Sequence, residues 1–484
     1  MKDSKLLRMI HALTPRERSR FADFLNSAYF HPVPELVRFF QVLEEDFFYP
    51  GILEPDRVAV WERLYPDVAY DDAAFRTASS QLLKRLEGYL QQEALSRNPH
   101  RQDQLLLEEL ERRRQDKHLR YALNRSRKNL DEQRMRDGQY HYDRYALEMA
   151  QHRFNARQDF RSQKLAPVAA LSSLDAYYLA SRLRLACEIL NLKHILQVDE
   201  DVTLVDQLEG LLAHEAYAGE PAVALYGAIL RMLRGQEPEL AYRELRGWME
   251  RSALLLAKEE QYEVYIHAIN FCIRQANRGA PEYLQELLGL YQEALKRDVL
   301  LDQGQLSPSN YKNMVTVGLR VGDYRWVKKF IRQYKEQLPA AFRENAYTYN
   351  LAVYYYTVGQ YDQVLQLLQE VDYDDVFYNL DSKVLLLKVY YETSEADALF
   401  SLFDSFSVFV RRNKVLSSYH KTINLNLIQF LKKLTNLPPG PSEKLDRLLQ
   451  RIDATREISA IQWLKEKAEE KRLRKSPRRV RGAG

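Results

Sequence analysis

The 484-residue chain is long enough for about three ordinary domains, or for one extended stack of short repeated units. Only Cys187 and Cys272 occur, far apart and each within an apolar helical pattern, which argues against a disulfide framework and against a cysteine zinc site and for reduced core thiols. The formal charge of +4 is misleading: residues 471–484 carry seven cations and no acid, so residues 1–470 are slightly negative and do not point to nucleic acid. No segment approaches the roughly 20 apolar residues of a membrane helix, and the first residues lack a signal-peptide core. A cytoplasmic protein is expected, with no membrane partner. Glycine and proline are scarce, at 17 each, and Leu, Ala, Glu, Arg and Gln abound, so the chain is expected to be all-α.

Residues 1–98 predict a small helical domain. Thr14-Pro15-Arg16-Glu17 is a capping box with proline at the first helical position, and Phe21, Phe24, Leu25 and Ala28 follow at helical spacing. His31 to Pro34 interrupts, and Leu36, Phe39, Phe40 and Leu43 mark a second helix. A third lies between Pro55 and Pro66. Asp71 or Asp72 caps a long fourth, striped by Phe75, Ala78, Leu82, Leu86, Tyr89 and Leu90. The stretch from Phe21 to Pro32 resembles one that opens some bacterial helical-repeat proteins, a likeness that implies no function.

Residues 99–165 form a charged helical connecting segment. Arg112 to Arg136 holds ten cations against Asp116, Asp131 and Glu132, and Arg113, Arg120, Arg127 and Arg134 recur every seven residues. On one helix they would line a single stripe, able to follow an acidic partner or a phosphate backbone. The alternative is a solvated face braced by pairs such as Asp116 with Arg120.

Residues 166–309 read as degenerate repeat-like helices, with Ala166-Pro167 as a linker and helices over 173–196, 204–214, 222–233, 239–257, 259–278 and 281–296. Gly210, Gly219, Gly235 and Gly279 sit near their ends, and residues 298–309 form a loop.

The clearest pattern spans residues 310–406. Tyr349-Asn350-Leu351-Ala352-x-x-Tyr355-x-x-x-Gly359-x-Tyr361-x-x-Val364 has a near copy 37 residues earlier in Asn313-Met314, Gly318, Gly322, Tyr324 and Val327. An echo lies 35 residues later in Leu386-Leu387-x-x-Tyr390, Ala396 and Leu399. The pattern resembles the tetratricopeptide repeat. That resemblance implies an α-solenoid of antiparallel helix pairs, with Gly322 and Gly359 in the hairpin turns, Tyr324 and Tyr361 folding back on the first helix, Tyr355 in the seam, and Gly318 and Ala352 allowing close approach. Residues 407–474 are expected to cap the stack with helices near 416–434, 443–452 and 456–471, followed by a disordered basic tail over 475–484.

No catalytic constellation is visible: the chain has no phosphate-binding glycine loop, no His-x-x-x-His pair and no Gly-x-Ser-x-Gly elbow. The acidic runs Glu44-Glu45-Asp46 and Asp372 to Asp375 read as turn and cap residues. Neither an enzyme nor a cofactor is expected. In the solenoid that the resemblance implies, the first helices line a concave groove. Its walls would be Lys312, Thr316 and Arg320, then Tyr349, Val353 and Tyr356, then Lys388 and Tyr391. Such a strip of rings and cations suits a peptide or helix of a protein partner, and Asn313 and Asn350 loosely resemble carboxylate-clamp positions. The same tyrosines could instead be buried between helices. The alternative partner is nucleic acid, bound by the basic helix and tail.

Overall fold

The computed structural model describes residues 1–484 except 2–3, 31, 53, 159–165, 197–209, 211–216, 218, 370–375, 456 and 475–484. The predicted 204–214 helix, the Asp372–Asp375 run and the basic tail lie outside the described residues. The chain divides into two compact units, one of Met1–Arg184 with Ala213–Val223 and one of Leu185–Leu212 with Ala224–Gly484. Both are all-α among the described residues apart from one two-residue hairpin. None of the described helices is long and apolar enough to cross a membrane.

The first unit begins with α1 (Lys5–His11), α2 (Pro15–Asn26), α3 (Pro34–Val42), α4 (Arg57–Leu64) and α5 (Asp72–Ser96). Thr14 and Glu17 form the predicted capping box, and Asp71 is the residue that caps α5. Their apolar stripes converge on one core holding Phe21, Phe39, Phe40, Leu82 and Leu86. α3 runs on into a π-helical turn, Leu43–Phe48, which carries the Glu44-Glu45-Asp46 run. There Glu44 faces Arg18 at 3.8 Å and Asp46 faces Arg63 at 3.5 Å, so the run is tied into ion pairs.

Three further helices, α6 (Pro99–Arg112), α7 (Asp116–Glu132) and α8 (Gly138–Gln158), enclose a second core around Leu107, Leu123, Leu130 and Phe154. The chain then enters α9 (Ala166–Leu196). Ala166-Pro167 is not a linker, because it forms the first turn of that helix, where a proline with no N–H costs nothing.

The second unit continues as helix pairs: α10 (Pro221–Arg234, its first residues in the first unit) with α11 (Pro238–Ser252), α12 (Lys258–Asn277) with α13 (Glu282–Lys296), α14 (Pro308–Val321) with α15 (Tyr324–Gln333), α16 (Arg343–Thr357) with α17 (Tyr361–Gln369), and α18 (Val376–Glu392) with α19 (Ala396–Arg412). All five pairs close through one turn. Gly235, Gly279, Gly322, Gly359 and Ser394 each have positive φ. In each case the next residue donates its N–H to the carbonyl five back: Gln236 to Arg231, Ala280 to Gln275, Asp323 to Gly318, Gln360 to Tyr355 and Glu395 to Tyr390, at 2.9–3.2 Å. This is the left-handed helix stop, which satisfies a carbonyl that the helix end would leave unpaired and reverses the chain within a few residues. The pairs are therefore antiparallel and form a solenoid-like stack, with residues 221–296 built as the clearer repeats of 310–406 are.

Consecutive pairs are stapled by tyrosines. Tyr226 of α10 donates to Glu263 of α12 at 3.2 Å, Tyr242 of α11 to Glu286 of α13 at 2.7 Å, and Tyr356 of α16 to Glu392 of α18 at 3.3 Å. Each ring fills the seam while its hydroxyl reaches a carboxylate one pair onward. Gly318 is required by contact: a Cβ there would lie 2.5 Å from Val327 Cγ2 and 3.2 Å from the Trp326 ring. Two expectations need correction. Tyr355 is only half-buried, the buried neighbour being Tyr354. Tyr324 is exposed, whereas Tyr361 does fold back, 5.8 Å from the Tyr356 ring.

The predicted loop before α14 is closed by a hairpin pairing Leu301–Asp302 with Gln305–Leu306, its turn residues Gln303 and Gly304 both at positive φ. The stack ends in α20 (Ser418–Asn436), α21 (Glu443–Ala454) and α22 (Ile461–Leu473), whose apolar faces complete a core around Phe403, Phe406, Leu431, Leu445 and Leu464.

The turn predicts opposite effects at equivalent positions. Gly359→Ala should lower stability by about 1 kcal/mol, because a Cβ disfavours the left-handed conformation. Ser394→Gly should raise it by a similar amount. Thermal melts of the two variants against wild type check both signs.

Candidate functional site

The first-helix row α14, α16 and α18 brings the predicted groove residues together, yet spends most of them on one another. Lys312 forms an ion pair with Asp381 of α18, and its ammonium lies 5.3 Å from the centre of the Tyr349 ring. Tyr349 also meets the Tyr378 ring edge-on at 5.8 Å. It is 9% exposed, and burial holds its hydroxyl well above the usual pKa. Tyr349 is therefore not an open anchor; it fills the junction of α14, α16 and α18. Asn350 is buried and donates to its own helix at Ala346 O, 2.7 Å away, so it takes no part in a clamp.

A second cluster joins α16 and α18 to the last helix. The Glu392 carboxylate accepts hydrogen bonds from Tyr356 Oη at 3.3 Å and from Trp463 Nε1 at 3.1 Å, and pairs with Lys467 Nζ at 2.9 Å. Lys388 lies over both the Tyr356 ring, at 5.8 Å, and the Trp463 ring, at 5.6 Å. Burial lowers its pKa, partly opposed by Glu466, Glu392 and Asp381. Tyr391 meets Trp463 edge-on at 5.7 Å. Three predicted groove residues are thus covered by α22, whose Trp463 gave no sequence signal because it lies 72 residues beyond Tyr391.

Beside this cluster lies a cavity of about 290 Å³, bordered by Tyr391, Glu392, Ser394, Lys467, Lys471 and Arg474. Lys467 is paired with Glu392 and Glu470, and Lys471 donates to the Leu434 and Thr435 carbonyls at the end of α20. Most of its charged lining is therefore engaged within the fold. What stays open on the row is Thr316 and Arg320 of α14, both exposed, with Val353 of α16 half-buried. The Thr316 hydroxyl donates to Lys312 O at 2.9 Å.

The alternative basic face does not form a single stripe. Arg113 ends α6 and is paired with Glu109, and Arg134 lies exposed past the end of α7. Only Arg120 and Arg127 are on α7. Arg120 covers the Phe154 ring at 5.6 Å, and Arg127 pairs with Glu148 at 3.1 Å. Asp116 meets Arg157 of α8 instead of Arg120. The helix is shorter than its charge repeat, and α6 and α8 supply acids that the repeat alone does not reveal.

Partly buried polar groups elsewhere in the second unit join its helices. Arg246 spans Glu286 at 3.0 Å and Glu293 at 3.1 Å, while Tyr265 donates to Glu293 at 2.6 Å. Cys187 and Cys272 are buried thiols, and burial raises both pKa values, Cys272 to about 11. No group of His, Cys, Asp and Glu among the described residues could hold a metal ion. No protein-family model matches the chain, and neither a curated protein nor a solved structure matches it.

Two outcomes follow from these contacts. Glu392→Ala removes the acceptor shared by Tyr356, Trp463 and Lys467 and should lower stability by about 1–3 kcal/mol in a thermal melt. His267 is buried, and that burial lowers its pKa to about 4 from an ordinary value near 6.5. The unfolded chain binds the proton first, so this residue's contribution is present above about pH 6.5 and is lost as pH falls towards 4. Melts over that range should fall less steeply for His267→Gln than for wild type.

Proposed function

We propose that the protein is a non-catalytic interaction scaffold of tetratricopeptide-like type, which binds a peptide or helix of a protein partner along its first-helix row. The observation that carries this reading is the seating of α22. The helix α22 lies against the Tyr356–Lys388–Tyr391 surface through the Trp463 indole, with its Lys467 ammonium paired to Glu392, so the row already accepts one helix. Recognition of a partner helix would reuse that chemistry on the part of the row that α22 leaves open. There Thr316, Arg320 and Val353 supply a hydroxyl, a cation and an apolar contact. Because Lys312 is neutralised by Asp381, Arg320 carries the preference for an acidic partner.

The test is capture of proteins from the native host by wild type and by a Thr316→Glu, Arg320→Glu variant. Partner recovery should fall at least about tenfold, since Arg contacts are common interface hot spots. The melt should stay within about 0.5 kcal/mol of wild type, as both positions are exposed. Equal recovery of the same proteins by the folded variant would remove this face as the binding site.

A further inference from the structure

A second cavity, also about 290 Å³, lies between α13 and α15, the second helices of consecutive pairs. One wall is aromatic. Trp326 and Phe330 stand four residues apart on α15, and Tyr334, four further on, caps its C-terminal end, so the three share a face. Trp326 stacks on Phe330 at 5.0 Å with the planes 13° apart, and Phe330 is 5.0 Å from Tyr334. The absence of a Cβ at Gly318 lets the Trp326 indole lie close against α14, since a Cβ there would come within 3.2 Å of the ring.

The polar lining is Lys296 and Gln292 from α13, with Lys329 and Gln333 from α15. No acid borders the cavity. None of these four side chains has a hydrogen bond or ion pair within the fold among the described residues. This is the reverse of the cavity beside α22, where Lys467 and Lys471 are committed internally. Here Lys296, Lys329 and Gln333, all exposed, and the half-buried Gln292 border an aromatic wall without a partner inside the fold among the described residues. Two exposed lysines with no carboxylate beside them favour an anion, and the stacked rings favour a flat one. Amides offer both donors and acceptors, which a heteroaromatic ring with polar edges can use and a phenyl ring cannot.

We infer that this cavity binds a nucleotide unit, with the base against Trp326 and Tyr334, its edge read by Gln292 and Gln333, and its phosphate held by Lys296 and Lys329. The same unit occurs in a free nucleotide and in single-stranded nucleic acid, and both use base stacking and phosphate pairing. The site is independent of the protein-binding face proposed above.

Calorimetric titration of the full chain with adenosine 5′-monophosphate, adenosine, phenyl phosphate and a short oligodeoxyadenylate tests the assignment. One monophosphate should bind per chain, with adenosine and phenyl phosphate each at least about tenfold weaker, because each lacks one half of the recognised unit. A Lys296→Ala, Lys329→Ala variant should lose at least about tenfold for the monophosphate and leave adenosine unchanged. An oligonucleotide that binds at least about tenfold tighter than the monophosphate, with the same lysine dependence, identifies a strand as the source; equal affinity identifies the free nucleotide. The inference is overturned if neither phosphorylated nucleotide probe binds, if the lysine variant binds as wild type does, or if phenyl phosphate matches the monophosphate.

Discussion

At the end of the first helix in each of five consecutive pairs, one residue turns into the left-handed region, and the N–H after it bonds to a carbonyl five residues back. The rest of the second unit depends on that bond. It stops the helix without leaving an unpaired carbonyl, and it returns the chain so soon that the second helix must lie antiparallel against the first. Once pairs are antiparallel, first helices neighbour first helices. Lys312 then reaches Asp381 and Tyr356 reaches Glu392, each across a pair boundary.

That arrangement also gives several of the chain's tyrosines a place. A seam between helix pairs is neither dry nor open, so a side chain with an apolar body and a polar tip fits it better than phenylalanine would. The bonds Tyr226–Glu263, Tyr242–Glu286 and Tyr356–Glu392 repeat one solution at three levels of the stack. Each hydroxyl is satisfied by a carboxylate of the next pair, and each bond joins neighbouring pairs, where a stack has only nearest-neighbour contacts to hold it.

How far the sequence reveals this varies with the residue. Gly322 and Gly359 are legible because glycine and the tyrosine two residues later form a short pattern. Gly235 and Gly279 are legible as helix stops, but their spacings of 44, 43, 37 and 35 residues to Gly279, Gly322, Gly359 and Ser394 are too uneven to mark them as one series. Ser394 hides the fifth turn, because it adopts a conformation that serine does not advertise. The groove was legible as a set of positions and not as a surface. The tetratricopeptide resemblance implies one groove wall for Tyr349, Tyr356, Lys388 and Tyr391, and only the fold shows that α14, α18 and α22 cover them. The arginines of 112–136 mislead for a related reason: a seven-residue repeat assumes one continuous helix, and the helix ends at Glu132.

The account stands on the recurrence of one turn, and amide hydrogen exchange reads that turn directly. Asp323, Gln360 and Glu395 should each exchange slowly, with protection well above that of an unstructured peptide and similar among the three, because each N–H is held by the same bond. Exchange of any one of these amides at the free-peptide rate, while the flanking helices remain protected, would contradict the claim that the pairs are built alike.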